Sequence, residues 1–281
     1  MAELFLRDRK LVSRFPSFVM GIVNCTPDSF YEKSRGGSEL AFRLIDEGAE
    51  ILDVGGESTR PGSSYVDEEE EIRRIVPVIE EIRKKSSIPV SVDTRKKRVM
   101  EAAFNAGADI LNDISALEDD EEMASFAREK DIPVILMHKR GTPATMQSDL
   151  SYADIIGEVG SYLKERALYA ESCGIKREKI ILDPGIGFSK DRKQNLLLIE
   201  KASVLAGGMY PVLIGLSDKT FIGEITGKDA LHRGAGTVAA DIAACLYGAE
   251  ILRVHDVSSC VDSLAVLESF KGLMEFRKKT G

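Results

Sequence analysis

Ile180-Ile181-Leu182-Asp183-Pro184-Gly185-Ile186-Gly187-Phe188 is the stretch on which the fold turns. Three branched apolar residues stopped by Pro and Gly read as a short buried strand, and Asp183 stands where that strand ends. A carboxylate there is presented at a strand exit. The same pattern recurs three times: Ser91-Val92 before Asp93, Ile110-Leu111 before Asn112, and Val212-Leu213-Ile214-Gly215 shortly before Lys219. If these strands run parallel, four polar side chains converge on one rim, the face on which parallel α/β proteins bind ligands.

Working outward, apolar runs predict strands near 18–23, 51–55, 89–92, 109–111, 132–137, 179–182, 211–215 and 250–254. Amphipathic stretches near 37–48, 69–85, 95–106, 120–130, 150–173, 192–206, 237–247 and 260–278 predict helices between and after them. Small-residue turns such as Asn105-Ala106-Gly107-Ala108-Asp109 and Tyr247-Gly248-Ala249-Glu250 join helix to strand as tight returns, not linkers. An unbroken alternation of eight βα units predicts one α/β domain over 1–281, a (β/α)8 TIM barrel with its active site at the C-terminal ends of the strands. The connections 25–37, 56–68 and 138–149 are long while the opposite ones are short, which again places function on the strand-exit face. The run Asp67-Glu68-Glu69-Glu70-Glu71 reads as a solvated first helical turn favoured by the helix dipole.

Composition narrows the partner. The 281 residues are 43% hydrophobic and 30% charged, with no apolar run of the ~18 residues that a membrane span needs. Charges at Arg7, Asp8, Arg9, Lys10 and Arg14 leave no signal-peptide core, so the expected location is cytoplasmic. Cys25, Cys173, Cys245 and Cys260 are scattered and read as free thiols. A net charge of −8 argues against nucleic acid and for a small-molecule substrate.

Asp93, Asn112, Asp183 and Lys219 offer acceptors, an amide and an ammonium, a set suited to the donor-rich edge of a heteroaromatic ring. Such a site rejects rings that lack those donors, because its own polar groups would be left unpaired. Singly, each carboxylate reads equally well as a helix cap. A second group seeks anions: Asn24 with Thr26, Arg60, and Arg253 with His255. Asn24 adds an oxygen ligand for a Mg2+ ion that bridges phosphates; His255, taken alone, reads as a capping or packed histidine. Gly55-Gly56-Glu57-Ser58-Thr59-Arg60-Pro61-Gly62 reads as a flap, with Ser29-Phe30 and His138-Lys139-Arg140-Gly141-Thr142-Pro143 as possible helpers. His232 reads as a surface residue, and no Ser-His-Asp arrangement, P-loop, dinucleotide fingerprint or HExxH motif occurs.

Together these motifs resemble the dihydropteroate synthase family over nearly the whole chain. The matching pieces are Gly21-Ile22-Val23-Asn24-Cys25-Thr26-Pro27-Asp28-Ser29-Phe30, Asp53-Val54-Gly55-Gly56-Glu57-Ser58-Thr59-Arg60-Pro61-Gly62, Asp183 to Phe188, and Arg253-Val254-His255-Asp256-Val257. The resemblance implies condensation of a pterin methyl diphosphate with p-aminobenzoate through loss of pyrophosphate to a pterin cation, inhibition by sulfonamides, and a homodimer formed through barrel helices. It further implies that Asp93, Asn112, Asp183 and Lys219 hold the pterin, and that Asn24, Arg253 and His255 hold the diphosphate with magnesium. Thr59, Arg60, Pro61, Phe188 and Ser217 would shape the p-aminobenzoate pocket. For the dimer, 237–247 with Leu264, Leu267 and Phe270 offer an apolar face, which ordinary barrel packing would use equally.

One departure stands out. The family has Ser-Arg-Lys-Ser after strand seven, whereas here Ser217-Asp218-Lys219-Thr220 puts an aspartate in place of the arginine. A negative charge beside a site for an anionic aryl acid predicts altered p-aminobenzoate and sulfonamide affinity, unless Asp218 turns outward or pairs with a cation such as Arg60. Two rival readings remain. A methyltetrahydrofolate:corrinoid methyltransferase shares the barrel and the pterin-binding Asp, Asn and Asp but has no use for a diphosphate site. A noncatalytic pterin binder disabled at Asp218 would bind the diphosphate and release no pyrophosphate.

Overall fold

The computed structural model describes residues 1–25, 37–58, 63, 65–141, 150–205 and 207–270. An antiparallel hairpin, β1 (Glu3–Phe5) with β2 (Lys10–Val12), precedes eight parallel strands. These are β3 (Phe18–Asn24), β4 (Ile51–Gly55), β5 (Val90–Asp93), β6 (Ile110–Asp113), β7 (Val134–Met137), β8 (Ile180–Asp183), β9 (Leu213–Gly215) and β10 (Ile251–Val254). Their order is β8-β7-β6-β5-β4-β3-β10-β9. A parallel bridge from Leu182 to Val212, with the Leu182 N–H donating to Pro211 O at 2.9 Å, joins the two ends. The expected TIM barrel is present.

Strand parity sorts the core into two compartments. Phe18, Met20, Ile51, Ile110, Ile135, Ile181, Leu213 and Ile251 face inward and pack as one cluster, which Ala2, Leu4 and Leu6 of the hairpin segment complete from below. Their outward neighbours, among them Val19, Leu52, Val92, Leu111, Leu182 and Leu252, pack instead against the surrounding helices. Fully burying one such side chain contributes about 1.5–3 kcal/mol, so both layers are strongly specified. The apolar filling stops partway up the barrel. One alternation higher, the inward positions become Asp53, Asp93, Asn112, Asp183 and Arg253, and register sets Ile22 beside Asp53, Asp93 beside Asn112 and Met137 beside Asp183.

Element boundaries largely follow the expected periodicity, with three departures. The stretch 192–206 breaks into Arg192–Glu200 and Ala202–Leu205, with Lys201 leaving helical geometry at φ −104 and ψ 18. Thr220–Thr226 forms a two-turn helix too short to show a period, closed by Gly227 at φ 70. The hairpin strands, three residues each, were equally invisible to pattern reading. The last helix begins at Val257 and runs to Glu268; residues 271–278 of the expected stretch lie outside those described.

The acidic run needs a correction. Asp67 caps helix Glu68–Lys85 by accepting from Glu70 N at 2.9 Å, as dipole reasoning expects, but Glu71 is fully buried and ion-paired to Lys96 at 2.6 Å rather than solvated. Among the described residues no helix is long and apolar enough to cross a membrane.

Candidate active site

Six strands carry polar groups to the barrel mouth, and two strand-end glycines make room for them. Gly55 stands in register with Asp93, and a Cβ there would lie 3.4 Å from Asp93 Cβ; Gly215 pairs with Arg253, whose Cβ would be 3.7 Å away. Arg253 then reaches across the interior, donating from Nε to Asp53 Oδ2 at 2.6 Å and from Nη2 to Asp93 Oδ2 at 3.0 Å. Asn112 Nδ2 donates to the same Asp53 oxygen at 3.1 Å. Asp183 Oδ1 accepts from the Gly185 N–H at 2.7 Å, which fixes the carboxylate against the turn that follows it. Three of the four residues expected to bind a ring, Asp93, Asn112 and Asp183, thus share one rim.

Lys219, the fourth, precedes helix Thr220–Thr226, and its Nζ lies 4.6 Å from the centroid of the Phe188 ring. A cation over a partly buried ring is held by the ring quadrupole. This brings an expected pterin residue against an expected aryl-pocket residue. Gly187 runs close beside the lysine stem, with room for no larger residue without displacing it.

Burial dominates the electrostatics here. It pushes Asp93 up to about 7, with the Arg253 charge opposing and the Asp53 charge adding to the rise. Asp183 is also raised by burial, against the pull of the Gly185 N–H and the charges of Lys219 and Arg253. Burial pulls Arg253 down, yet Asp53 and Asp93 outweigh it and leave the guanidinium above its ordinary value.

The anion-seeking group is only partly gathered. Asn24 closes β3, and His255 follows the neighbouring strand β10, so both stand at the same end of adjacent strands. His255 is anchored through its backbone N–H to Ser217 Oγ at 3.0 Å, and its Nδ1 lies 3.8 Å from Asp218 Oδ2. Asp218 is exposed; Arg60, the cation expected as its alternative partner, lies outside the described residues. Arg253, expected to seek an anion, spends Nε and Nη2 on two carboxylates; Nη1 makes no hydrogen bond among the described residues. Thr26, Ser29, Phe30, Thr59, Arg60, Pro61, Gly62, Thr142 and Pro143 lie outside the described residues. Among the described residues no three His, Cys, Asp or Glu groups are gathered in a way that could hold a metal ion.

Three groups escaped the sequence reading. Asp53 lies mid-strand between Leu52 and Val54; its parity with Ile51 was the available signal. Lys190 is buried, with Nζ 3.0 Å from His138 Nδ1, and only its place beside the Asp183 motif hinted at it. Lys96 bridges Glu57 and Glu71 and donates to Val66 O at 2.6 Å, tying both stems of the connection after β4. His138, expected as a possible hydrogen-bonding residue of the mouth, is buried there; His232 is exposed and bonded to Asp229.

Comparison with known proteins gives this rim a context. Residues 20–255 match the profile of the family described as pterin binding enzymes. A dihydropteroate synthase of Neisseria meningitidis serogroup C is 44% identical over 260 residues, covering 89% of this chain and 92% of that one. The fold is similar to that of Xanthomonas albilineans dihydropteroate synthase solved with 4-aminobenzoic acid, at a TM-score of 0.89 and 41% identity over 96% of this chain and 99% of that one. It is also similar to Yersinia pestis dihydropteroate synthase in complex with a sulfonamide drug, at a TM-score of 0.90 and 34% identity over 96% and 99% of the two chains.

Proposed function

The chain belongs to the pterin-binding enzyme family, among the dihydropteroate synthases, and from that premise we propose that its barrel mouth joins 6-hydroxymethyl-7,8-dihydropterin diphosphate to p-aminobenzoate. The products are 7,8-dihydropteroate and pyrophosphate. The observation that carries this reading is the inward polar layer above an apolar barrel: Asp93, Asn112 and Asp183 on one rim, with Asp53 and Arg253 cross-linking it.

Asp93, Asn112, Asp183 and Lys219 take the pterin. The two carboxylates accept from its N–H edge, Asn112 supplies an amide, and Lys219 donates from above. Asn24, Arg253 through Nη1, and His255 take the diphosphate, where cationic and N–H donors meet the charge that grows as the leaving group departs. The C–O bond to the diphosphate breaks with its electron pair going to pyrophosphate. The pterin ring delocalises the resulting cation, and the arylamine lone pair forms the new C–N bond. The N–H proton is acidic only after that bond exists, so no strong general base is required. Thr59, Arg60, Pro61, Phe188 and Ser217 receive the aryl acid, and the Phe188 ring beneath Lys219 gives the two substrates a common boundary.

Magnesium fits this donor set in a limited way. The described residues offer it no carboxylate cage, so Asn24 would be the residue that holds it beside the diphosphate, as suits an ion usually bound by few protein groups. When bound it neutralises charge on the departing diphosphate. The chain acts in the cytoplasm as one barrel domain and as a homodimer. The exposed Leu196, Leu197, Ile225, Leu246 and Tyr247, on the helices from Arg192 to Leu246 or just beyond, support an apolar contact between copies. Leu264 is fully buried and Leu267 packs on the core, so those two belong to barrel packing. Sulfonamides compete at the p-aminobenzoate site.

The test is pyrophosphate release from the pterin diphosphate with magnesium, with and without p-aminobenzoate, while dihydropteroate is followed by chromatography. Coupled release and product formation are expected. Pterin binding with no product would overturn the reading in favour of a noncatalytic binder.

A further inference from the structure

We propose that Lys190 is a positioning residue for the reaction: its ammonium ties the segment after β7 to the segment after β8, and so holds Asp183 and Phe188 where the two substrates meet. The inference rests on the functional reading above and adds to it a residue that touches neither substrate.

Lys190 is 4% exposed, and its Nζ has three acceptors: His138 Nδ1 at 3.0 Å, Phe188 O at 2.8 Å and His138 O at 3.4 Å. An ammonium has three N–H donors, and here they span two segments far apart in sequence. Other ties join the same segments. Ser189 Oγ donates to Arg140 O at 2.7 Å, and the His138 N–H donates to Asp183 O at 2.9 Å. Gly185, at φ +68, passes so close that a Cβ would lie 2.0 Å from His138 O.

The charge of Lys190 is what packing alone leaves unexplained. A methionine of similar length would fill the same space without the cost of desolvating an ammonium. That cost is visible: burial pulls Lys190 down to about 7, with Asp183 the charge that resists. Burial, with the Lys190 charge adding, holds His138 down at about 3, so its ring is neutral and Nδ1 accepts from the lysine. The role follows: Lys190 pins the carbonyl of Phe188, whose ring lies under Lys219, and places a positive charge beside the Asp183 carboxylate.

The experiment titrates wild type, Lys190→Met, Lys190→Gln and Lys190→Arg calorimetrically with 6-hydroxymethylpterin between pH 6 and 9, with kcat and KM measured for both substrates. Asp183 faces Lys219 after β9, Arg253 of β10 and Lys190, with apolar Met137 beside it on β7; between pH 6 and 9 Asp93, held at about 7, titrates in every variant, and Lys190, also held at about 7, titrates in wild type alone. Lys190→Met is expected to weaken the pterin about tenfold, a change of about 1.4 kcal/mol, and to raise the pterin KM more than it lowers kcat. The pH midpoint of binding should move upward, because Asp183 loses a neighbouring cation; a role in packing would leave that midpoint unchanged. Lys190→Arg should recover most of the affinity. Lys190→Gln keeps a donor without the charge, and serves if the methionine variant does not fold. A folded Met or Gln variant that binds pterin as tightly as wild type, with the same pH midpoint, overturns the proposal. Wild type that neither binds pterin nor forms dihydropteroate overturns the functional reading instead, so the two failures are told apart.

Discussion

Arg253 Nε lies 2.6 Å from Asp53 Oδ2, across strand β3, which stands between their own strands β10 and β4. The pair is a brace inside the barrel mouth as much as a binding device. Asp53 is fully buried, and the Arg253 side chain is 22% exposed, so removing either partner strands a charge. Arg253→Met is expected to cost about 3–5 kcal/mol of stability, well beyond the loss of a surface pair. Urea denaturation of the two proteins measures it; a loss below about 1 kcal/mol would mean that the carboxylates relax to solvent.

Proton release on binding follows from Asp93. Burial raises this carboxyl to about 7 from its ordinary 3.8, so the folded protein holds the proton more tightly than the unfolded chain. Its stabilisation is complete below about pH 4 and is lost as pH rises through about 7. Asp93→Asn should therefore flatten the fall in stability across that window, read from denaturation midpoints. A pterin that donates N–H to the carboxylate favours the ionised form, so binding at about pH 6 should release a proton and binding at about pH 8 should not. Calorimetry in two buffers of different ionisation enthalpy separates these cases.

Asp218 tests the one departure from the family pattern. It is exposed, adopts φ 57, and sits 3.8 Å from His255 Nδ1. Aspartate and asparagine both tolerate this left-handed backbone, so Asp218→Asn removes the charge without new strain. The asparagine should lower the p-aminobenzoate KM by about twofold to fivefold, as expected for an exposed charge, and Asp218→Arg should go further. Sulfonamide inhibition should tighten in parallel. Both quantities unchanged in both variants would show that Asp218 does not act on the aryl acid.

Lys96 holds together a buried ionic cluster after β5. Its ammonium meets Glu57, Glu71 at 2.6 Å and Val66 O at 2.6 Å, and Glu71 is fully buried. Lys96→Met should cost about 3–5 kcal/mol by leaving a buried carboxylate uncompensated. Adding Glu71→Gln should recover part of that loss, and the double-mutant cycle gives the coupling directly. Simple additivity of the two changes would rule out the pairing as the cause.

The legible parts of this molecule were those in which one residue breaks a pattern. Asp93, Asn112 and Asp183 each interrupt an apolar run; Asp93 and Asp183 end their strands, Asn112 stands one residue before the end of β6, and all three lie on the inward rim. Asp53 was harder, because it interrupts its run in the middle and only alternation with Ile51 shows that it faces inward. Arg253 reads from sequence as an anion seeker, but its carboxylate partners come from strands 160 and 200 residues away, a closeness that only barrel closure creates. Lys190 and Lys96 sit outside strands and helical interiors, where neither period nor turn chemistry marks a buried cation. The hairpin and Thr220–Thr226 were missed because a few residues cannot display a period.

Leu4 and Leu6 close the floor of the barrel beneath Phe18, Ile110 and Ile251. The interior is consequently a blind well rather than a tunnel. On the proposed reading, everything that enters leaves by the mouth it came through, so pterin, aryl acid, pyrophosphate and pteroate all share one doorway.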